Sequence, residues 1–70
     1  KETNNALDTL IVAVGEGYIA DYHFQKEEYD LAAYWYQAAK NDYSASNLVK
    51  DSEYDKRFSK GLVDSLMRMV

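Results

Sequence analysis

His23 is the only histidine, and it stands among carboxylates at Asp21, Glu27 and Glu28. An imidazole beside acids is the usual beginning of a general base or a metal site. No second His and no Cys is present to complete a ligand set. His23 therefore reads better as a packed, hydrogen-bonded ring near a helix turn. Glu27 and Glu28 suggest paired acid/base work, but neighbours on a helix point to different sides. Negative charge at a helix start explains them more simply. The serines have no Gly-rich elbow around them. Gly15 and Gly17 form a Gly-x-Gly step with no strand before it, which is a weak phosphate-loop signal. Trp35 between Tyr34 and Tyr36 would make a stacking platform for a base or a sugar. Base stacking normally comes with a basic groove, and none is readable here. Trp35 then reads as core, or as the contact to a third helix. The expectation is a non-enzymatic chain with no catalytic residue, no metal ligand and no cofactor.

Composition narrows the class further. Seventy residues allow one domain, residues 1–70. A chain of this size buries only about 60% of its unfolded surface and is marginal alone. With no Cys there is neither a disulfide framework nor a thiolate site. The absence of Pro and the three Gly disfavour a low-complexity chain. No apolar run approaches the roughly 20 residues of a membrane span. The chain begins at Lys1 without a signal pattern, as a mature or trimmed form would. The compartment is unassigned, with cytoplasm as the default and a domain of an exported or anchored protein as the alternative.

The net charge is −4, which speaks against a nucleic-acid partner. Residues 1–35 hold two Lys and seven acids, whereas residues 36–70 hold six Lys or Arg and five acids. Attraction between neighbouring helices is the simpler meaning, and an acidic face for a basic partner is the sharper one.

Three helices must position these residues. Asn5 suits an N-cap, with Asp8 in the first turn. Leu7, Leu10, Ile11, Val14, Tyr18 and Tyr22 then fall at helical spacing and form the expected buried stripe. Val12 and Ile19 widen it. Gly15 and Gly17 mark either close helix packing or a kink or break. A charged turn at Lys26–Glu28 follows. The second helix is apolar on two sides. One stripe is Tyr29, Ala32, Ala33, Tyr36, Ala39 and Tyr43; the other is Leu31, Trp35 and Ala38, beside Tyr34. Such a helix is sandwiched between neighbours, here the first and third helices. Residues 41–46 have turn composition, and Ser44 could cap a short turn through Leu48 and Val49. The third helix starts near Ser44 or near Ser52, and the polar residues 50–53 favour a break. Ser52 and Asp55 resemble a capping box. Tyr54, Phe58, Leu62, Leu66 and Val70 then recur at spacing four, with Val63, Met67 and Met69 broadening the face. Met67 and Met69 would pack on the first helix or offer an adaptable partner surface. The fold class expected is all-α, a three-helix antiparallel bundle.

The central stretch resembles a tetratricopeptide repeat. Ile19-Ala20 fits its large–small pair, and Phe24 its aromatic near the turn. Tyr29, Ala32, Tyr36 and Ala39 follow at the family's spacings. Trp35–Ala39 is also similar to Sel1-like repeats, without their Gly-rich turn. Glu27 stands where a turn Gly is common, His23 where an aromatic is common, and Ser44 where Pro often ends the unit. The match spans about 13–43, and about 52–70 reads as a capping helix. The resemblance implies a protein-binding unit whose first helix lines a concave groove. It implies Gly17, Asp21, Phe24 and Gln25 as partner-binding residues. Asp21 and Gln25 would hold polar groups of a peptide, and Phe24 would give apolar contact. The function expected is therefore binding of a peptide or protein partner. The alternatives are an obligate subunit or trimmed domain of a larger assembly, including an oligomer, and an acidic inhibitor of a basic site.

Overall fold

A computed structural model describes residues 5–46 and 53–70, with side chains from Asp8 onward. It consists of α1 (Asn5–Gln25), α2 (Tyr29–Ser46) and α3 (Glu53–Arg68). There is no strand among the described residues. The all-α bundle expected from the periodicity is present, and α2 is its centre. Both α1 and α3 pack on α2, and they touch each other far less. Tyr43 of α2 meets Tyr54 near the start of α3, while Tyr29 meets Arg68 at its end. Hence α3 runs antiparallel to α2 and parallel to α1.

α1 is continuous through both glycines. Gly17 is there because of packing: a Cβ at Gly17 would overlap the Phe58 ring, lying 3.0 Å from Cζ. Gly15 has nothing within 4 Å of a Cβ position. The buried face of α1 consists of small residues. Ala13 and Ala20 are fully buried, with Leu10 and Phe24 at the edge of the core. This corrects the expected buried stripe. Ile11, Tyr18 and Tyr22 are 60%, 60% and 57% exposed and face away from α2. The physical reason is close approach of the two backbones, which admits Ala13, Gly17 and Ala20 and turns the bulky side chains outward. The side chains of Asn5 and Leu7 lie outside the described ones.

The α1–α2 turn closes by a Schellman arrangement. The Glu28 N–H donates to the His23 carbonyl at 2.9 Å, and the Glu27 N–H to the Phe24 carbonyl at 3.0 Å. Glu27 holds φ 63°, the left-handed conformation that favours Gly. Glu27→Gly should therefore raise stability by about 0.5–1 kcal/mol, read as a higher urea midpoint. A lower midpoint would mean that the Glu27 side chain makes contacts worth more than the strain.

α2 runs to Ser46, so the turn expected over residues 41–46 is helical instead. Its last turn carries core contacts, which outweigh its polar composition. Tyr43 is buried with the Tyr54 and Phe58 rings 5.9 and 6.2 Å away. Ser46 is buried too, its hydroxyl donating to the Tyr43 carbonyl at 2.7 Å. Ser44 is an exposed helical residue. Leu48, Val49 and Ser52 lie outside the described residues. α2 is sandwiched between α1 and α3 as expected, but its second apolar side is only partly covered: Leu31 and Tyr34 are exposed, while Trp35 is half-buried and packs against the core. Tyr36, not Trp35, forms the three-helix seam. A Cβ at Gly61 of α3 would overlap the Tyr36 ring, lying 2.6 Å from Cε1.

The expected α3 face also divides. Phe58 is 1% exposed and Leu62 packs at the core edge. Tyr54, Leu66 and Val70 are exposed. A spacing of four overshoots the 3.6-residue turn, so the line drifts about 40° per step. The buried line follows Phe58, Gly61, Leu62 and Ser65, whose hydroxyl donates to the Gly61 carbonyl at 2.8 Å. Met67 and Met69 are exposed. No helix among the described residues is long and apolar enough to cross a membrane.

Candidate interaction surface

Three of the four residues singled out on α1 face α3. Gly17 is buried under Phe58. The Asp21 carboxylate accepts from the Tyr36 hydroxyl on one oxygen and from the Arg57 guanidinium on the other. Phe24 meets Tyr29 and Tyr36 edge-on at 5.2 and 6.5 Å, and the Arg68 guanidinium lies 5.2 Å from its centroid. Gln25 is exposed at the end of α1. Gly17, Asp21 and Phe24 thus each contact a residue of α3, with Asp21 and Phe24 still partly exposed, and Gln25 is exposed.

Asp21 joins all three helices. Burial, and then the Asp21 carboxylate, push the Tyr36 hydroxyl far above its ordinary range, so it is a neutral donor at every ordinary pH. Arg57 also lies 5.6 Å from the Tyr18 ring. Attraction between an acidic first half and a more basic second half takes concrete form here. No local pattern pairs Asp21 with Arg57, because they are separated by 36 positions.

His23 is half-buried, with Nδ1 2.7 Å from Glu28 Oε1 and the Tyr22 ring edge-on at 5.3 Å. It is the packed, hydrogen-bonded ring near the turn that its surroundings suggested. No group of three His, Asp or Glu suited to a metal ion occurs among the described residues.

A second acid pair was not singled out from the sequence. Glu16 of α1 and Asp42 of α2 are neighbours across the helix seam, and Glu16 Oε1 is buried without a hydrogen-bond partner. Burial, and then the Asp42 carboxyl, push Glu16 from its ordinary 4.5 up to about 7. Its position four residues before Ala20, on the core side of α1, was the available signal. Between those two values the folded chain binds more protons than the unfolded one. The contribution of Glu16 to stability should therefore be full below pH 4.5 and be lost as pH rises to about 7. Solvent screening of this partly open site limits the change to about 1–2 kcal/mol. Glu16→Gln should flatten that slope in urea titrations at pH 5 and pH 8. An unchanged slope would assign it to other groups.

The outward face of α1 carries Asp8, Ile11, Gly15, Tyr18 and Tyr22, and Lys26 follows one turn on. These residues recur at helical spacing over almost the whole helix. Lys26 lies 5.2 Å from the Tyr22 ring and donates to its hydroxyl at 3.4 Å. A smaller apolar face lies on the outer side of α3, at Val63, Leu66 and Met67.

Compared with known proteins, this chain is matched by no family model, no curated protein and no solved structure.

Proposed function

We propose that this chain is a non-enzymatic protein-interaction module, a tetratricopeptide-like hairpin (α1 and α2) capped by α3. Three features support the likeness. Ala20, Ala32 and Ala39 are fully buried. Glu27 takes a left-handed φ where that repeat favours Gly. α3 lies against the hairpin where a following helix would lie.

The observation that carries the binding function is the outward apolar face of α1. Ile11, Tyr18 and Tyr22 are each more than half exposed on one helix face. A contiguous apolar face in water marks a contact surface, and Tyr is enriched in such contacts. Gln25 extends this face toward the turn. The partner is a protein or peptide that lays an apolar surface along α1. A photo-crosslinking residue at Tyr22 should form a protein adduct that is lost on Ile11→Asp. The same residue at Asn41, an exposed α2 position, should form none. Equal labelling at both positions would overturn the assignment. A second reading, a subunit of a larger helical assembly, is favoured by the exposed Val63, Leu66 and Met67 on α3.

A further inference from the structure

The outward face of α1 has a charge at each end and a gap near its middle. In order it reads Asp8, Ile11, Gly15, Tyr18, Tyr22, Lys26. The bulky residues are more than half exposed, and both charged residues are exposed. At Gly15 the gap is open, with nothing within 4 Å of a Cβ position. Gly17, two residues on, shows how α1 uses such a gap: it receives the Phe58 ring from α3. Gly15 offers a comparable hole on the opposite side of the helix, with no ring among the described residues to fill it.

The pattern is self-complementary when reversed. Two copies of α1 laid antiparallel about a two-fold beside Glu16 and Gly17 bring Tyr18 of each over Gly15 of the other. The same register sets Ile11 against Tyr22 and brings Asp8 within one residue of Lys26, each pairing occurring twice. An isologous contact requires this property, one patch that meets itself with apolar and charged partners matched. A parallel pairing would set Asp8 against Asp8 and Lys26 against Lys26.

We infer that the outward face of α1 binds a second copy of this chain, as an antiparallel α1–α1 dimer with the Tyr18 rings seated over Gly15. The inference rests on that face being the interaction surface. One helix face from each copy buries less than the about 800 Å² per partner of a standard stable interface. The dimer is therefore weak and reversible. Its aromatic contacts sit at the centre and its ion pairs at the rim, where charges set orientation more than affinity.

Sedimentation equilibrium of the full chain, from about 10 μM to about 1 mM, should show a monomer–dimer equilibrium within that range. A Cβ at Gly15 meets no described neighbour, so Gly15→Leu fills the hole and raises helix propensity. It should leave the thermal midpoint unchanged or higher while weakening dimerisation about tenfold or more. Asp8→Lys and Lys26→Asp should each weaken it, and the double exchange should restore it. A chain that is monomeric throughout the range overturns the inference. So does a dimer indifferent to Gly15→Leu, or a double exchange without rescue. A Tyr22 crosslink to a different protein from a monomeric chain would overturn self-pairing and leave the interaction module standing.

Discussion

Phe58→Ala should lower the stability of this chain by about 3–5 kcal/mol, the usual loss for a fully buried aromatic. Phe58 is the largest fully buried side chain and is 1% exposed. Its ring closes the space above Gly17 and lies 6.0 Å from Tyr54 and 6.2 Å from Tyr43. The fully buried residues of α1 beside Gly17 are Ala13 and Ala20, which are too small to collapse into the void. A chain of 70 residues has a total stability comparable to this loss. Circular dichroism at 25 °C should therefore show a largely unfolded population. Gly17→Ala should also destabilise, because its new methyl overlaps the same ring. Combining it with Phe58→Leu should cost less than the sum, since the smaller side chain vacates the space the methyl enters. A loss below about 1 kcal/mol for Phe58→Ala would mean that α3 is not seated on Gly17.

This dependence on small residues also explains what the sequence could and could not reveal. Helix number and type were legible because apolar spacing and charged turn residues agree over long stretches. The identity of the buried face of α1 was not. Ranking residues by size and apolarity selects Ile11, Tyr18 and Tyr22, whereas the core took Ala13, Gly17 and Ala20. When two backbones approach closely, the inner face belongs to whatever is small enough. A count of apolar residues then points to the wrong side. Gly17 carried the signal, and its close-packing reading was sound. What the sequence lacked was the ring that fills it, which comes from the far end of the chain. The same distance separated Asp21 from Arg57 and Phe24 from Arg68. Gly17, Asp21 and Phe24 each also contact α3, while the outer stripe of α1 is exposed. The end of α2 was missed for a related reason: the tertiary contacts of Tyr43 and Ser46 overrode a turn-like composition.

Asp21→Ala is the polar change with the largest expected effect, about 2 kcal/mol, because it strands a partly buried donor. Asp21 accepts from both Tyr36 and Arg57, but the two partners differ in what they lose. Arg57 is 48% exposed and can return its guanidinium to water. Tyr36 is 5% exposed, and its hydroxyl is held among the three helices. Arg57→Ala should therefore cost less than about 1 kcal/mol, as exposed ion pairs do. Asp21→Asn keeps an uncharged acceptor for the hydroxyl and should fall between the two. Tyr36→Phe removes the stranded donor itself, so adding it to Asp21→Ala should recover part of the loss. A double-mutant cycle on Asp21 and Tyr36, followed by urea unfolding, should give a coupling of about 1 kcal/mol. Were Arg57→Ala to cost more than Asp21→Ala, the ion pair and not the hydroxyl would be the tie between the helices. The stability would then fall steeply with added salt, whereas a neutral hydroxyl donor keeps most of it.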